Sequence, residues 1–271
     1  MLYLIATPIG NLKDITLRAI ETLKECDLIL CEDTRHSSHL LEHLEIKKPL
    51  ISFHQFNEAK REEEVLSLLR QGKKIALISD AGTPAISDPG EALVKRLRLE
   101  GVPVSPIPGP SSVITALAAS GLGTIPFQFL GFFPRTQLET RKTLAAIALF
   151  EGTSLFFESP ERLLQTLEIL SHVGSDWEIV IARELTKTFE EFVRGTPSEV
   201  LEKFKGRKIL GEIVVLARPA QTLLQKELET MDAKALAEQL QELFDLPLKD
   251  AIKIAASWKG ISKQNVYREF T

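Results

Sequence analysis

Cysteine is scarce in this chain of 271 residues. There are two, Cys26 and Cys31, both in apolar surroundings. A disulfide framework is excluded, and the pattern points to reduced, buried thiols in a cytoplasmic protein. Long apolar runs are missing too. No stretch approaches the roughly 20 residues that a membrane-spanning helix needs. The start, MLYLIATPIG, has no basic segment and reaches Pro8 too soon for a secretion signal. An excess of positive charge is also lacking, because 33 Lys and Arg face 37 Asp and Glu, a net charge of −4. No global basic field advertises a nucleic-acid partner, so a polyanion needs a local patch. Two nucleotide signatures are absent as well. There is no G-x-x-x-x-G-K-[ST], and Ala6-Thr7-Pro8-Ile9-Gly10 lacks the first two glycines of G-x-G-x-x-G. Pro8 and Ile9 would crowd a pyrophosphate, which speaks against dinucleotides and nucleoside triphosphates.

What the chain does have is alternation. Short apolar runs at Leu2–Ala6, Asp27–Cys31, Leu50–Phe53, Lys74–Ile78 and Val102–Ile107 read as strands. Amphipathic segments at Thr16–Glu25, Arg35–Leu44, Glu58–Arg70, Glu91–Leu99 and Ser111–Ser120 read as helices between them. Continuous apolar strands between helices predict a mostly parallel sheet covered on both faces. A break falls near Gly121–Pro126. Strands are then expected at Gln128–Phe132, Ser154–Phe157, Glu178–Ala182, Glu191–Arg194 and Glu212–Ala217, with helices at Gln137–Phe150, Glu161–His172 and Ser198–Lys205. The closer strand spacing predicts a mixed sheet. The expectation is two α/β domains, residues 1–122 and 123–218, followed by a small helical extension, 219–271.

In that extension Leu236, Leu240 and Leu243 mark one helix. Two short helices around Lys259-Gly260 follow, in the shape of a helix-turn-helix unit or of a helical cap packed on the body. From Lys249 to Arg268 five basic residues, Lys249, Lys253, Lys259, Lys263 and Arg268, face one acid, Asp250. Such a stretch suits contact with nucleic acid as well as packing.

Ligands of open α/β sheets bind beyond the carboxyl ends of the strands. Four segments there are small, polar or charged: Thr7–Asn11, Glu32–Arg35, Leu77–Gly90 (LISDAGTPAISDPG) and Pro108–Ser112. Together they describe a cleft where backbone approaches a ligand closely. A small, neutral-to-cationic ligand rich in hydrogen-bonding groups fits it. Asp80 suits an ammonium or hydroxyls, or else braces its own turn. Ser111 and Ser112 offer donors and helix capping. Asp88-Pro89-Gly90 reads as a helix start with Asp88 as the N-cap. His36, His39 and His43 share one helical face near Asp33, but without a zinc signature such as H-E-x-x-H, so no metal is expected. Ser37 or Ser38 beside a histidine lacks the strained elbow of a hydrolase. Farther on, Glu158 ends a strand, and Arg183, Glu184, Lys187 and Glu190 follow another. These four make either a solvated salt-bridge cluster or a catalytic Lys–acid pair.

In order, LYLIATPIGNLKDIT, CEDTRHSSHLL, ISDAGTPAISDPG, IPGPSS, FLGFFP, FFESPERL and RELTKTFEE resemble the signature segments of the tetrapyrrole methylase superfamily, and within it the ribosomal RNA branch. The resemblance covers residues 1 to about 218, and the tail is similar to that branch's helical extension. It implies an enzyme that uses S-adenosyl-L-methionine to methylate the ribose 2′-oxygen of a cytidine in the decoding centre of 16S rRNA. It also implies two α/β domains with the cofactor in the cleft between them, a homodimer, and a substrate in the 30S subunit. Where corrinoid and porphyrin relatives carry a glycine-rich first loop and Gly-Asp-Pro, this chain has Thr7-Pro8-Ile9-Gly10 and Ser79-Asp80-Ala81, which argues against a tetrapyrrole substrate. By position, Pro8, Ile9, Ile78, Ser79, Asp80, Thr83, Ser111 and Ser112 would line the cofactor site, with Phe157 and Glu158 closing it. Candidate bases are Asp33 and Glu32, and Lys187 with Glu184, with Asp33 and Lys187 expected to border the reacting oxygen. Arg35, Arg135, Arg141, Lys142 and Lys263 are candidate RNA contacts. Alternatives are a relative that acts on a tetrapyrrole or on the modified histidine of elongation factor 2, and a noncatalytic RNA-binding or ribosome-assembly protein on the same fold.

Overall fold

The computed structural model describes residues 1–220, 228 and 230–270. The chain divides into two compact units, Met1–Thr115 with Leu185–Thr188, and Ala116–Glu184 with Phe189–Thr271. In the first unit, strands β1 (Leu2–Ile5), β2 (Leu28–Cys31), β3 (Leu50–Ser52), β4 (Ile75–Ile78) and β5 (Val104–Ile107) alternate with helices α1 (Leu17–Glu25), α2 (Thr34–His43), α3 (Glu58–Arg70) and α4 (Glu91–Leu99). The sheet order is β3-β2-β4-β1-β5, and every pairing is parallel. β2 and β4 are buried at every position, which is why they read as unbroken apolar runs. The strand period of two still sorts their side chains. Leu28, Leu30, Ile75 and Leu77 pack with Leu66 of α3 and Leu93 of α4 on one face. Ile29, Cys31, Ala76 and Ile78 pack with Leu23 of α1 and Leu41 of α2 on the other. Each fully buried Leu or Ile contributes about 1.5–3 kcal/mol.

This topology creates the crevice. From β1 the chain crosses to β2 and β3 on one face, and from β4 it crosses back to β5 on the other. The direction reverses between the adjacent strands β1 and β4, and a switch point of this kind opens a crevice beyond the strand ends.

Thr16 caps α1 as its side chain accepts the Ala19 N–H at 3.1 Å. The start of α4 departs from expectation. Its N-cap is Gly90 and not Asp88. Gly90 has φ +123°, a conformation that glycine favours, and its N–H donates to Glu58 Oε1 at 3.1 Å. A Cβ at this position would lie 2.6 Å from Leu77 Cδ2. The turn that delivers the chain into α4 is therefore made by glycine, and Asp88 points elsewhere.

Helix α5 (Ser112–Ala119) spans the division between the units. In the second unit, β6 (Phe127–Phe132), β7 (Thr153–Glu158), β8 (Glu178–Arg183), β9 (Glu191–Gly195) and β10 (Ile213–Arg218) form a sheet ordered β6-β7-β10-β8-β9. β6 and β7 are parallel and the other pairs antiparallel, the mixed sheet that the strand spacing predicts. Helices α6 (Gln137–Leu149), α7 (Leu163–Val173) and α8 (Pro197–Phe204) accompany it, α8 opening with a Thr196–Glu199 capping box. Near the C-terminus lie α9 (Ala233–Phe244), α10 (Leu248–Trp258) and α11 (Lys263–Arg268). Their buried residues Leu236, Leu240, Ile252 and Val266 belong to the same apolar core as Phe156, Ile181 and Val215. These helices are part of the second unit's interior, and Trp258 Nε1 donates to Leu149 O of α6 at 3.3 Å. Among the described residues no helix is long and apolar enough to cross a membrane.

Candidate active site

The loops after β1 and β4 are joined at the switch point. The Thr7 N–H donates to Gly82 O at 2.9 Å and the Gly82 N–H to Thr7 O at 3.1 Å. Buried Thr7 also donates its hydroxyl to Ser79 O at 3.0 Å, and buried Ser79 donates its own to Gly82 O at 3.2 Å. Thr83 reaches the loop after β5, its hydroxyl donating to Pro110 O at 3.4 Å. Ser111 begins α5, its carbonyl accepting the Thr115 N–H at 2.9 Å. Ile9 and Ile78 are buried beneath these loops, and Pro8 is half-buried. Ser79, Thr83 and Ser111 thus brace the crevice. Within Ser79–Gly90, Ala85 and Ser87 hold left-handed backbone, φ +66° and +63°. Each such residue costs about 1–3 kcal/mol and persists where its surroundings over-determine it, most often at ligand sites.

Three acids gather at this edge, where the charge of Asp80 reaches both Glu32 and Asp88. Asp80 Oδ1 accepts the Asp33 N–H at 3.4 Å, which ties the loop after β4 to the start of α2. Burial, and after it the charge of Asp80, raises the Glu32 carboxyl above its usual range. Burial, followed by the charges of Glu32 and Asp80, pushes Asp88 up to about 6. Asp88 is thus a member of the cluster, and its reading as a helix cap is corrected. The sequence held one clue to this, a second acid in a loop made mostly of small residues and proline.

Asp33 departs from its expected part. Its carboxylate caps α2 by accepting the Arg35 N–H at 2.8 Å, and it grips the Arg35 guanidinium through Nε at 3.2 Å and Nη2 at 2.8 Å. The guanidinium contact, with the backbone bond next, holds its pKa at about 2. A group so acidic is a poor base near neutrality. Arg35 gives Nε and Nη2 to Asp33, and its side chain stays exposed.

Lys187 lies in the first unit, where it borders a cleft of about 630 Å³ with the segment after β1. Glu184 has φ +53° and its Oε1 accepts the Glu212 N–H at 3.1 Å, bracing the approach to β10. Glu158 is a closed structural group. It accepts from Ser159 N–H at 2.7 Å and Thr166 Oγ1 at 2.6 Å and pairs with Arg162 at 2.6 Å, with its side chain wholly buried. No acceptor on it faces outward for a ligand. Phe157 stacks edge-on with Phe129 and Phe132 at 4.9 and 5.2 Å.

Arg141 pairs with Asp245, and Lys142 with Asp250 at 3.0 Å, so both fasten α6 to the C-terminal helices rather than offering open contacts to a phosphate. Arg135 and Lys263 are exposed. Among the described residues no group of three His, Cys, Asp or Glu could hold a metal ion. Cys26 and Cys31 are unbridged and buried, and burial pushes Cys26 up to about 11, an inert thiol.

Known proteins share this architecture. A solved uroporphyrin-III C-methyltransferase from Thermus thermophilus, complexed with S-adenosylhomocysteine, is 20% identical, with a TM-score of 0.56 over 79% of this chain and 96% of that one. At that identity the likeness is one of fold. Sequence relatives lie nearer. A protein of Halalkalibacterium halodurans named ribosomal RNA small subunit methyltransferase I is 41% identical over 98% of this chain and 93% of its own length. A Thermotoga maritima protein of the same name is 49% identical over 79% of this chain and 96% of its own. The sequence profile of the Tetrapyrrole (Corrin/Porphyrin) Methylases matches residues 1–201. By that match and by those relatives, the chain belongs to the tetrapyrrole methylase family.

Proposed function

We propose that this chain is an S-adenosylmethionine-dependent methyltransferase of small-subunit ribosomal RNA, and that its acceptor is the ribose 2′-hydroxyl of a cytidine in the decoding centre. The observation that carries the reading is the crevice at the β1/β4 switch point, lined by Glu32, Asp80 and Asp88, in a chain with near-full-length relatives named for rRNA methylation.

The cofactor supplies an electrophilic methyl group on a cationic sulfonium, and it also carries an ammonium. Three neighbouring carboxylates suit such cationic groups, because a cation among them offsets the like charge that, after burial, raises Glu32 and Asp88. Small residues such as Ala81 and Gly82 let main-chain groups reach a nucleoside, and Ile9 and Ile78 supply apolar surface below. Asp80, fixed to the Asp33 N–H, is proposed to hold the ammonium.

A ribose hydroxyl is a weak nucleophile, and alignment with the methyl–sulfur bond can supply much of the rate. Asp33 orders α2 and Arg35. Lys187 is assigned to the acceptor side, where its charge positions the RNA. The family resemblance also points to a cytoplasmic homodimer acting on the 30S subunit.

The test maps ribose methylation in 16S rRNA from cells with and without this protein, alongside methyl transfer by the pure protein into 30S subunits and naked rRNA. One cytidine that loses its 2′-O-methyl group, and regains it in vitro, is the expected result. Cofactor binding without incorporation into either substrate would overturn the reading in favour of a noncatalytic RNA-binding protein.

A further inference from the structure

The first unit holds a second feature of opposite character. The cleft of about 630 Å³ lies between the segment that leaves β1 and the strap Thr186–Thr188. Lys13, His43 and Lys187 bring nitrogen donors to it, and Asn11 and Thr188 bring an amide and a hydroxyl. No carboxylate is among its lining residues. In a chain with 37 acids that is a marked local bias.

We propose that this cleft is a phosphodiester subsite, which holds a backbone phosphate of the RNA strand next to the nucleotide being methylated. The proposal rests on the rRNA reading above for the source of the phosphate. Ammonium groups, an amide and a hydroxyl around one cavity match an anion with several acceptor oxygens. The volume suits a nucleotide unit better than a lone small ion.

The backbone is built to keep the two walls in place. Asn11 Oδ1 accepts the Lys13 N–H at 3.1 Å and so shapes the turn that presents Lys13. On the facing wall Thr186 sits at φ +65°, an outlier for a β-branched residue. Gly10 lets the strap approach, because a Cβ there would lie 2.8 Å from Leu185 O and 2.5 Å from Lys187 Cγ.

Position supports the role. Thr7 pairs with Gly82 of the acid-bearing loop, and Gly10 is three residues farther along. Three residues span at most about 11 Å. A cation-binding crevice and an anion-binding cleft are therefore neighbours on one sheet edge, matching a cationic donor and an anionic strand.

The experiment compares the full-length protein with Lys13→Glu, Lys13→Arg and His43→Ala in methyl transfer to 30S subunits over a salt series, with S-adenosylmethionine affinity measured by calorimetry. Lys13→Glu is expected to raise KM about tenfold or more and to flatten the salt slope by about one unit, with cofactor affinity unchanged. Lys13→Arg is expected to stay near the parent, and His43→Ala to raise KM less than Lys13→Glu. A parental KM and salt slope for Lys13→Glu, in a preparation that methylates rRNA, would overturn the subsite alone. Loss of the rRNA reading looks different, since the parent protein itself would then leave rRNA unmethylated. In that case the His43 imidazole resonances still decide. They should shift with the dinucleotide CpC in the parent and not in Lys13→Glu. No shift with CpC overturns the subsite, and a shift with inorganic phosphate alone overturns RNA as the source.

Discussion

Asp88 is the residue whose titration ties the crevice to stability. In the folded chain burial, and then the charges of Glu32 and Asp80, keep its proton on up to about pH 6. An unfolded aspartate releases its proton near pH 4. Between those values the folded state binds more protons than the unfolded one, so stability falls as pH rises from about 4 to about 6. The penalty is fully present above pH 6. Asp88→Asn should remove it. The variant is expected to melt a few degrees above the parent at pH 7.5 and to match it at pH 4, since each kcal/mol moves Tm by about 2–4 °C at this size. It should also bind S-adenosylmethionine more weakly at pH 7.5, as one carboxylate is gone. A Tm difference that stays constant from pH 4 to 7.5 would show that Asp88 does not titrate as described. Asp33 is the contrast. Clamped by Arg35 at about 2, it stays ionised throughout this range, so no loss of rate between pH 7 and pH 5 should trace to it.

At the scale of elements, the strap 185–188 and the loop after β1 depend on one missing side chain. Gly10→Ala forces its Cβ against Leu185 O, a backbone atom that cannot swing aside as the Lys187 side chain can. Displacing the strap should cost about 1–3 kcal/mol and raise KM for RNA more than it alters cofactor affinity. A crystal structure of the variant with the strap unmoved would refute this. The strap is also where local sequence patterns stop being informative. Strands such as Ile75–Ile78 and helices such as Glu58–Arg70 are legible because burial on two faces, or on one, writes a period into the residues. The crevice is legible in outline, because a parallel sheet gathers the loops after β1, β2, β4 and β5 on one edge. Which acids meet there is not. Asp88 follows a run of turn residues and precedes Pro89, a pattern that locally favours a helix cap, and a glycine at φ +123° takes that position instead. Nor does any local pattern bring Thr186 and Lys187 to Gly10, since about 175 residues separate them in the chain. Glu158 misleads for a related reason. At a strand end it looks available, yet Arg162 and Thr166 of the next helix close over it.

For the whole molecule, the net charge of −4 opposes any polyanion at long range, so RNA must be drawn in by local fields. The C-terminal helices provide one. Asp250, the single acid between Lys249 and Arg268, is occupied by Lys142, which leaves exposed Lys249, Lys253 and Lys263 without a nearby carboxylate in their own segment. The apolar faces of these helices are buried in the second unit's core, so the basic face is held outward by rigid packing. The double variant Lys253→Glu, Lys263→Glu should therefore fold like the parent, as surface changes away from buried features usually stay within about 0.5 kcal/mol. Its binding to 30S subunits should weaken most at low salt and converge on the parent at high salt, where screening removes the difference. The slope of log affinity against log salt should fall by roughly 0.7–0.9 for each phosphate that the variant no longer neutralises. Cofactor affinity should not change, because neither residue belongs to the first unit. An unchanged slope would mean that these helices serve the core of the second unit and leave RNA to the first, in which case the Lys13 cleft must account for the whole salt dependence, and Lys13→Glu must then abolish most of it.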